Sequence, residues 1–147
     1  MFSIEFKEAC GDHLHRGALT LGARVERFRS SLNYWTTADY ERQWGAALQS
    51  LGERSTSALV VSIEEPAFMN YLDWWAMYCE GDTVYFQEQL NFFEEGGEVF
   101  DEHDFARFIR PHRRSTDEGE KISEWAVRRE EIDQFLDGPD GRRLLLR

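Results

Sequence analysis

Between Arg54 and Arg107 the chain has no lysine and no arginine. Nucleic-acid binding rests on Lys and Arg contacts to phosphate, so this middle third repels DNA and RNA. Also missing is any apolar run near the roughly 20 residues that a bilayer-spanning helix needs. The opening MFSIEFKEAC starts apolar and then carries charge, which is not the pattern of a secretory signal. Together these absences predict a soluble, cytoplasmic protein with no membrane contact. Cysteine is scarce: Cys10 and Cys79 are the whole supply, too few for a disulfide framework, and free buried thiols are expected. No Gly-x-Gly-x-x-Gly and no P-loop is present, so no phosphate cradle is expected.

What is present suits a folded domain. The 147 residues are 41% hydrophobic and 14% aromatic, enough to bury a core. The net charge of -11 is unevenly spread. Twelve of the 28 acids lie in the base-free window, and the other 16 face all 17 bases. The acidity of the chain is therefore the acidity of its middle. Such a block attracts a cationic partner and speeds the encounter. The plainer use of a one-signed block is solubility.

Phe2, Ile4 and Phe6 alternate with polar residues as in a strand, and Gly17–Gly22 reads as a second. Thr36 and Thr37 offer cap oxygens to a helix whose inner face is Tyr40, Trp44, Ala47, Leu48 and Leu51, with Gly52 as a left-handed stop. Residues 57–63 (SALVVSI) form a β-branched strand. Residues 71–79 and 83–92 make a hairpin around Gly81-Asp82. That turn pairs Glu80 with Thr83, Cys79 with Val84, Met77 with Phe86 and Trp75 with Glu88. Its other face pairs Tyr78 with Tyr85, Ala76 with Gln87 and Trp74 with Gln89. Glu88 then falls on the greasier face, which requires a hydrogen bond, a partly wet face or another register. Trp74 and Trp75 point opposite ways, so one of them covers a second layer or is exposed and open to self-association. Phe105, Phe108 and Ile109 suggest a short helix before Pro111. Residues 112–121 read as a loop, 122–127 as a strand, and 130–136 as a helix ended by Gly138-Pro139. The final RRLLLR packs or frays. The expected fold is a single α+β domain over 1–147, core about 2–137, tail 138–147, with a mainly antiparallel sheet and flanking helices.

Catalytic signals are weak. Cys10, His13 and His15, with Asp12 or His103, offer zinc-ligand chemistry at a spacing that matches no structural zinc pattern. Turn histidines are the simpler reading, and no metal or cofactor is expected. Cys79 as a thiol nucleophile or Glu88 as a perturbed acid would define a small hydrolase. The hairpin register places Cys79 opposite Val84, where a core thiol belongs. The expectation is a protein that is not an enzyme.

Several residues carry a resemblance: Tyr34-Trp35, Tyr40-x-x-Gln43-Trp44, Trp74-Trp75-x-x-Tyr78, Gln87-x-Gln89-Leu90 and Ile122-Ser-Glu-Trp125 before an acidic helix. Over residues 15–137 the chain resembles the immunity proteins of bacterial contact-dependent growth inhibition systems. The resemblance implies a cytoplasmic inhibitor that binds the C-terminal toxin domain of a delivered effector and blocks it. Many such toxins are nucleases with basic clefts, which an acidic protein can fill. Contact residues do not transfer by motif, so they are read from the acidic block. The candidates are Glu80 and Asp82 at the hairpin tip, then Glu94, Glu95, Glu98, Asp101, Glu102 and Asp104. The alternative is an acidic adaptor or nucleic-acid mimic with another basic partner.

Overall fold

A computed structural model describes residues 1–65, 71–92 and 100–146. Chain order is β1 (Phe2–Ala9), β2 (Leu14–Leu21), β3 (Arg24–Ser31), α1 (Thr37–Ser50), β4 (Thr56–Ile63), β5 (Tyr71–Glu80) and β6 (Thr83–Phe92). A 3-10 turn (Phe105–Phe108), β7 (Trp125–Arg128), α2 (Arg129–Asp137) and α3 (Pro139–Leu145) follow. Two antiparallel sheets, β1-β2-β3 and β4-β5-β6-β7, with the helices against them, make the fold α+β.

The hairpin forms in the predicted register, from Glu80↔Thr83 through Trp75↔Glu88 to Trp74↔Gln89. Gly81 sits at φ 61, the conformation that makes glycine the suited residue there. The strand over residues 24–31 has no counterpart in the sequence reading. Phe28 shares its face with Arg24, Glu26 and Ser30, so the alternation that marks a strand is hidden. The visible signal was Gly22, which takes φ 67 in the two-residue turn joining Leu21 to Arg24.

Helix α1 starts at Thr36, whose hydroxyl accepts from the Asp39 N–H while Asp39 Oδ2 accepts from the Thr36 N–H. It does not end as expected: Gly52 keeps a negative φ, and right-handed Leu51 closes the helix instead. The predicted face is buried, and it also seals a sheet edge. Gln43 Nε2 donates to the Ala58 carbonyl at 2.8 Å, and Gln43 Oε1 accepts from the Val60 N–H at 2.9 Å. One side-chain amide thus fills the place of a neighbouring strand on β4. Trp44 Nε1 donates to the Val60 carbonyl at 2.6 Å.

The two sheets meet through polar side chains. Tyr40 Oη donates to the Ser31 carbonyl at 2.6 Å and accepts from the Ile63 N–H at 3.1 Å. The Ser30 hydroxyl donates to the carbonyl of Val61, the residue skipped in the β4–β5 pairing. Between the sheets, Phe2 stacks on Phe86 at 5.7 Å and meets Phe135 edge-on at 5.4 Å. Of the terminal RRLLLR, Leu144 packs into the core, while Leu145 and Leu146 stay exposed. Most of this segment lies in α3. The Leu144 backbone lies so close to Gly45 that a Cβ there would sit 2.9 Å from the Leu144 oxygen.

Both members of the tryptophan pair are buried, Trp74 at 0% and Trp75 at 2% exposure. Trp75 packs inward against Trp125 at 5.7 Å. Trp74 faces the other way, and a second layer covers it, so the exposed alternative is not realised. Among the described residues no helix is long and apolar enough to cross a membrane.

Candidate functional site

The covering layer is the segment from Phe100 to Glu124, laid along the Trp74–Tyr78–Tyr85–Gln87 face of the second sheet. Phe100 enters an aromatic cluster, 6.5 Å from Trp74 and 6.1 Å from Trp35. Arg110 donates to the Leu90 carbonyl at 2.9 Å, and its own carbonyl accepts from Tyr78 Oη at 2.8 Å. His112 stacks flat on Tyr78 at 4.4 Å. Gln87 Nε2 donates to the Arg113 carbonyl at 2.7 Å and to Glu124 Oε1 at 3.1 Å. Gln87 therefore holds a strap of backbone, as buried polar groups must find partners.

Among the described residues the candidate acids fall into two groups. At the hairpin tip, Glu80 meets Arg114 at 3.2 Å and His112 Nδ1 at 3.2 Å, while His112 Nε2 lies 2.8 Å from Glu124. Asp82 is exposed, and its backbone carbonyl accepts from the Arg129 N–H at 2.8 Å. The other group surrounds Phe100. Glu102 is held by Arg42 Nη2 at 3.1 and 3.2 Å, and Arg42 also reaches Asp39 at 3.1 Å. Asp104 pairs with Arg107 at 3.3 Å. Asp101 accepts from the His103 N–H at 2.9 Å and has no ion pair among the described residues. The first group stands at the Glu80 end of β5, and the second lies back along that strand, beside Trp74. Glu94, Glu95 and Glu98 lie outside the described residues.

The charge of the block is thus moderated by cations from outside the base-free window: Arg42, Arg107 and Arg114. Burial raises Asp39's affinity for its proton, but the Thr36 hydrogen bonds and Arg42 outweigh it and hold the carboxyl below its usual range. Positive charge also gathers on the outer face of the first sheet, where Arg16 pairs with Glu8 at 3.4 Å. There Arg16 faces Arg29 across β2–β3 beside Arg27, over an open groove of about 970 Å³. No ion pair to Arg27 or Arg29 occurs among the described residues.

A small pocket of about 210 Å³ sits at the Phe100 end, lined by Tyr34, Trp35, Phe100, Asp101, Glu102 and His103. Sequence reasoning noted Tyr34-Trp35 and Asp101-Glu102 separately. Only the fold joins them, through the Trp35–Phe100 contact.

The residues weighed for catalysis are placed as follows. Glu88 keeps the predicted register on a face that is wet at its edge; its hydrogen-bond partner is Asp73. Burial, then the charge and hydrogen bond of Glu88, push Asp73 up to about 7. Burial and the charge of Glu26 raise Glu88 in turn. The thiol of Cys79 is half-buried, 3.7 Å from Arg129 Nη1 and 3.6 Å from the Gly81 carbonyl, with no histidine among these contacts. His15 is on β2 against Phe6, and His13 is in the preceding turn. Among the described residues no group of three metal-ligating side chains gathers.

Comparison with known proteins places this arrangement. The family model described as the CdiI N-terminal domain matches residues 30–135. The immunity protein CdiI of Enterobacter cloacae subsp. cloacae is 33% identical over 119 residues, covering 78% of this chain and 79% of that protein. A chain of the CdiA-CT/CdiI toxin and immunity complex from Enterobacter cloacae superposes with a TM-score of 0.83 at 28% identity, over 100% of both chains. With its fold, its Tyr-x-x-Gln-Trp edge seal and its strapped aromatic face in place, this chain belongs to the CdiI family of contact-dependent growth inhibition immunity proteins.

Proposed function

We propose that the chain acts in the cytoplasm as a non-enzymatic inhibitor. It binds the C-terminal toxin domain of its cognate effector through its acidic surface and blocks it. The full-length likeness to a chain of a toxin and immunity complex carries this reading. The charge map supports a basic partner, and a nuclease cleft is the best fit because it is built to receive phosphate charge. Glu80 and Asp82 form one contact group, and Glu94, Glu95, Glu98, Asp101, Glu102 and Asp104 form the other. A standard interface buries about 800 Å² per partner, within reach of such a surface.

Reversing Glu94, Glu95 and Glu98 to lysine should weaken binding far more than reversing Asp133 and Asp137, two exposed acids of α2. Equal losses would refute the surface assignment. In cells, expression of the chain should rescue growth against the toxin encoded directly upstream and against no unrelated toxin. An acidic adaptor with another basic partner would give no rescue. A small hydrolase would lose turnover on Glu88→Gln or Cys79→Ala, whereas an inhibitor keeps protection through both changes.

A further inference from the structure

We infer that the pocket between Tyr34-Trp35 and Phe100–His103 is the seat of a single cationic side chain, an arginine or lysine, presented by the toxin. This rests on the toxin-binding reading above and assigns it an anchor point.

Size is the first reason. The pocket holds about 210 Å³. That is below the usual range of small-molecule sites, and it suits one side chain better than a metabolite. The walls are the second. Tyr34 is 45% exposed, while its neighbour Trp35 is buried at 7% against Tyr40 and Phe100. The fold therefore commits one aromatic to the core and leaves the next in solvent at the pocket. Aromatic faces attract cations through the ring quadrupole, and arginine anchors in pockets dominate many interfaces.

Charge is the third reason. The two carboxylates at the pocket differ in availability. Glu102 is engaged by both of its oxygens with Arg42, which Asp39 also holds. That network fixes the wall and offsets much of its charge. Asp101 is exposed and keeps its negative charge uncompensated among the described residues, with only the His103 N–H on Oδ1. A guanidinium or ammonium would stack on Tyr34 and pair with Asp101. Phe100, set in the Trp35–Trp74–Phe108 cluster, gives the pocket a rigid floor. A preformed pocket loses little entropy on binding.

The test is the affinity of the purified toxin domain for the wild type and for Tyr34→Ala, Tyr34→Phe and Asp101→Asn, with thermal melts to confirm folding. Tyr34 and Asp101 are exposed, so the melts should scarcely move. Tyr34→Ala and Asp101→Asn should each weaken binding by roughly 10- to 100-fold, the range of a true interface anchor. Tyr34→Phe should retain wild-type affinity, because the ring face survives. Alanine replacement of one toxin arginine or lysine should lose affinity with the wild type but little further with Asp101→Asn. Wild-type affinity in both Tyr34→Ala and Asp101→Asn would overturn the pocket and leave the inhibitor reading intact. Absence of any complex with the wild type would overturn both.

Discussion

The Gln43 edge seal can be broken with a single change. Gln43→Leu keeps the bulk of the side chain and removes both hydrogen bonds. The Val60 N–H loses its 2.9 Å acceptor and the Ala58 carbonyl loses its 2.8 Å donor. Gln43 is buried at 2% exposure and its β4 partners are fully buried, so water does not substitute freely. A buried polar group left unpaired costs about 1–3 kcal/mol, which puts the sum at roughly 2–6 kcal/mol for two groups. Stability of ordinary domains is about 5–15 kcal/mol, so this is a large share. For a domain of this size each kcal/mol shifts Tm by roughly 2–4 °C, so the melt should fall by about 4 °C or more. Urea denaturation should show a lower midpoint with the slope unchanged. The unpaired β4 edge should also raise aggregation whenever α1 lifts from it, since such an edge templates another strand. A loss under about 0.5 kcal/mol, well below the cost of even one unpaired group, would refute the claim that Gln43 stands in for a strand.

Three further outcomes follow from the structure. Asp73 is held up to about 7, so its protonated form favours the fold. That contribution is complete below its unfolded value near 4 and is lost as pH rises through about 7. Denaturation of Asp73→Asn should therefore show a stability gain over wild type that grows from pH 4 to 7 and then levels; a difference constant across pH would contradict the raised proton affinity. Gly45→Ala should destabilise the protein or displace α3, because its Cβ would press on the Leu144 backbone; an unchanged melt would show that α3 yields freely. Arg27→Glu with Arg29→Glu should leave toxin affinity unweakened, since that groove lies outside the proposed contact surface; a tenfold loss would move the interface to the first sheet.

The β5–β6 hairpin was legible in the sequence because one turn with a fixed pair count sets every cross-strand partner. Helix α1 was legible because its core face repeats at helical spacing. Strand β3 was not, because Phe28 shares its face with Arg24, Glu26 and Ser30. Arg24 lies over Trp125 and Ser30 bonds to Val61, partners that no local pattern announces. Strand β7 begins at Trp125 rather than Ile122, because the residues before it belong to the strap. The Gln43 bonds explain why a glutamine stands inside an apolar helix face, but a sequence cannot show which edge it meets. Charge misled in a similar way. A window without bases reads as one acidic patch, yet Arg42, Arg107 and Arg114 come from outside it and neutralise part of it. The fold then sets Glu80 and Asp82 at the hairpin tip apart from Asp101, Glu102 and Asp104 beside Trp74. The Tyr34–Asp101 pocket joins residues nearly half the chain apart, and no local pattern foretells that.

Titration calorimetry of this chain against the purified C-terminal domain of the effector encoded immediately upstream is the most direct measurement. Nanomolar binding that weakens as salt rises is the predicted result, because the contact rests on charge. No heat at micromolar concentration would contradict the inhibitor reading, and tight binding indifferent to salt would contradict the acidic surface.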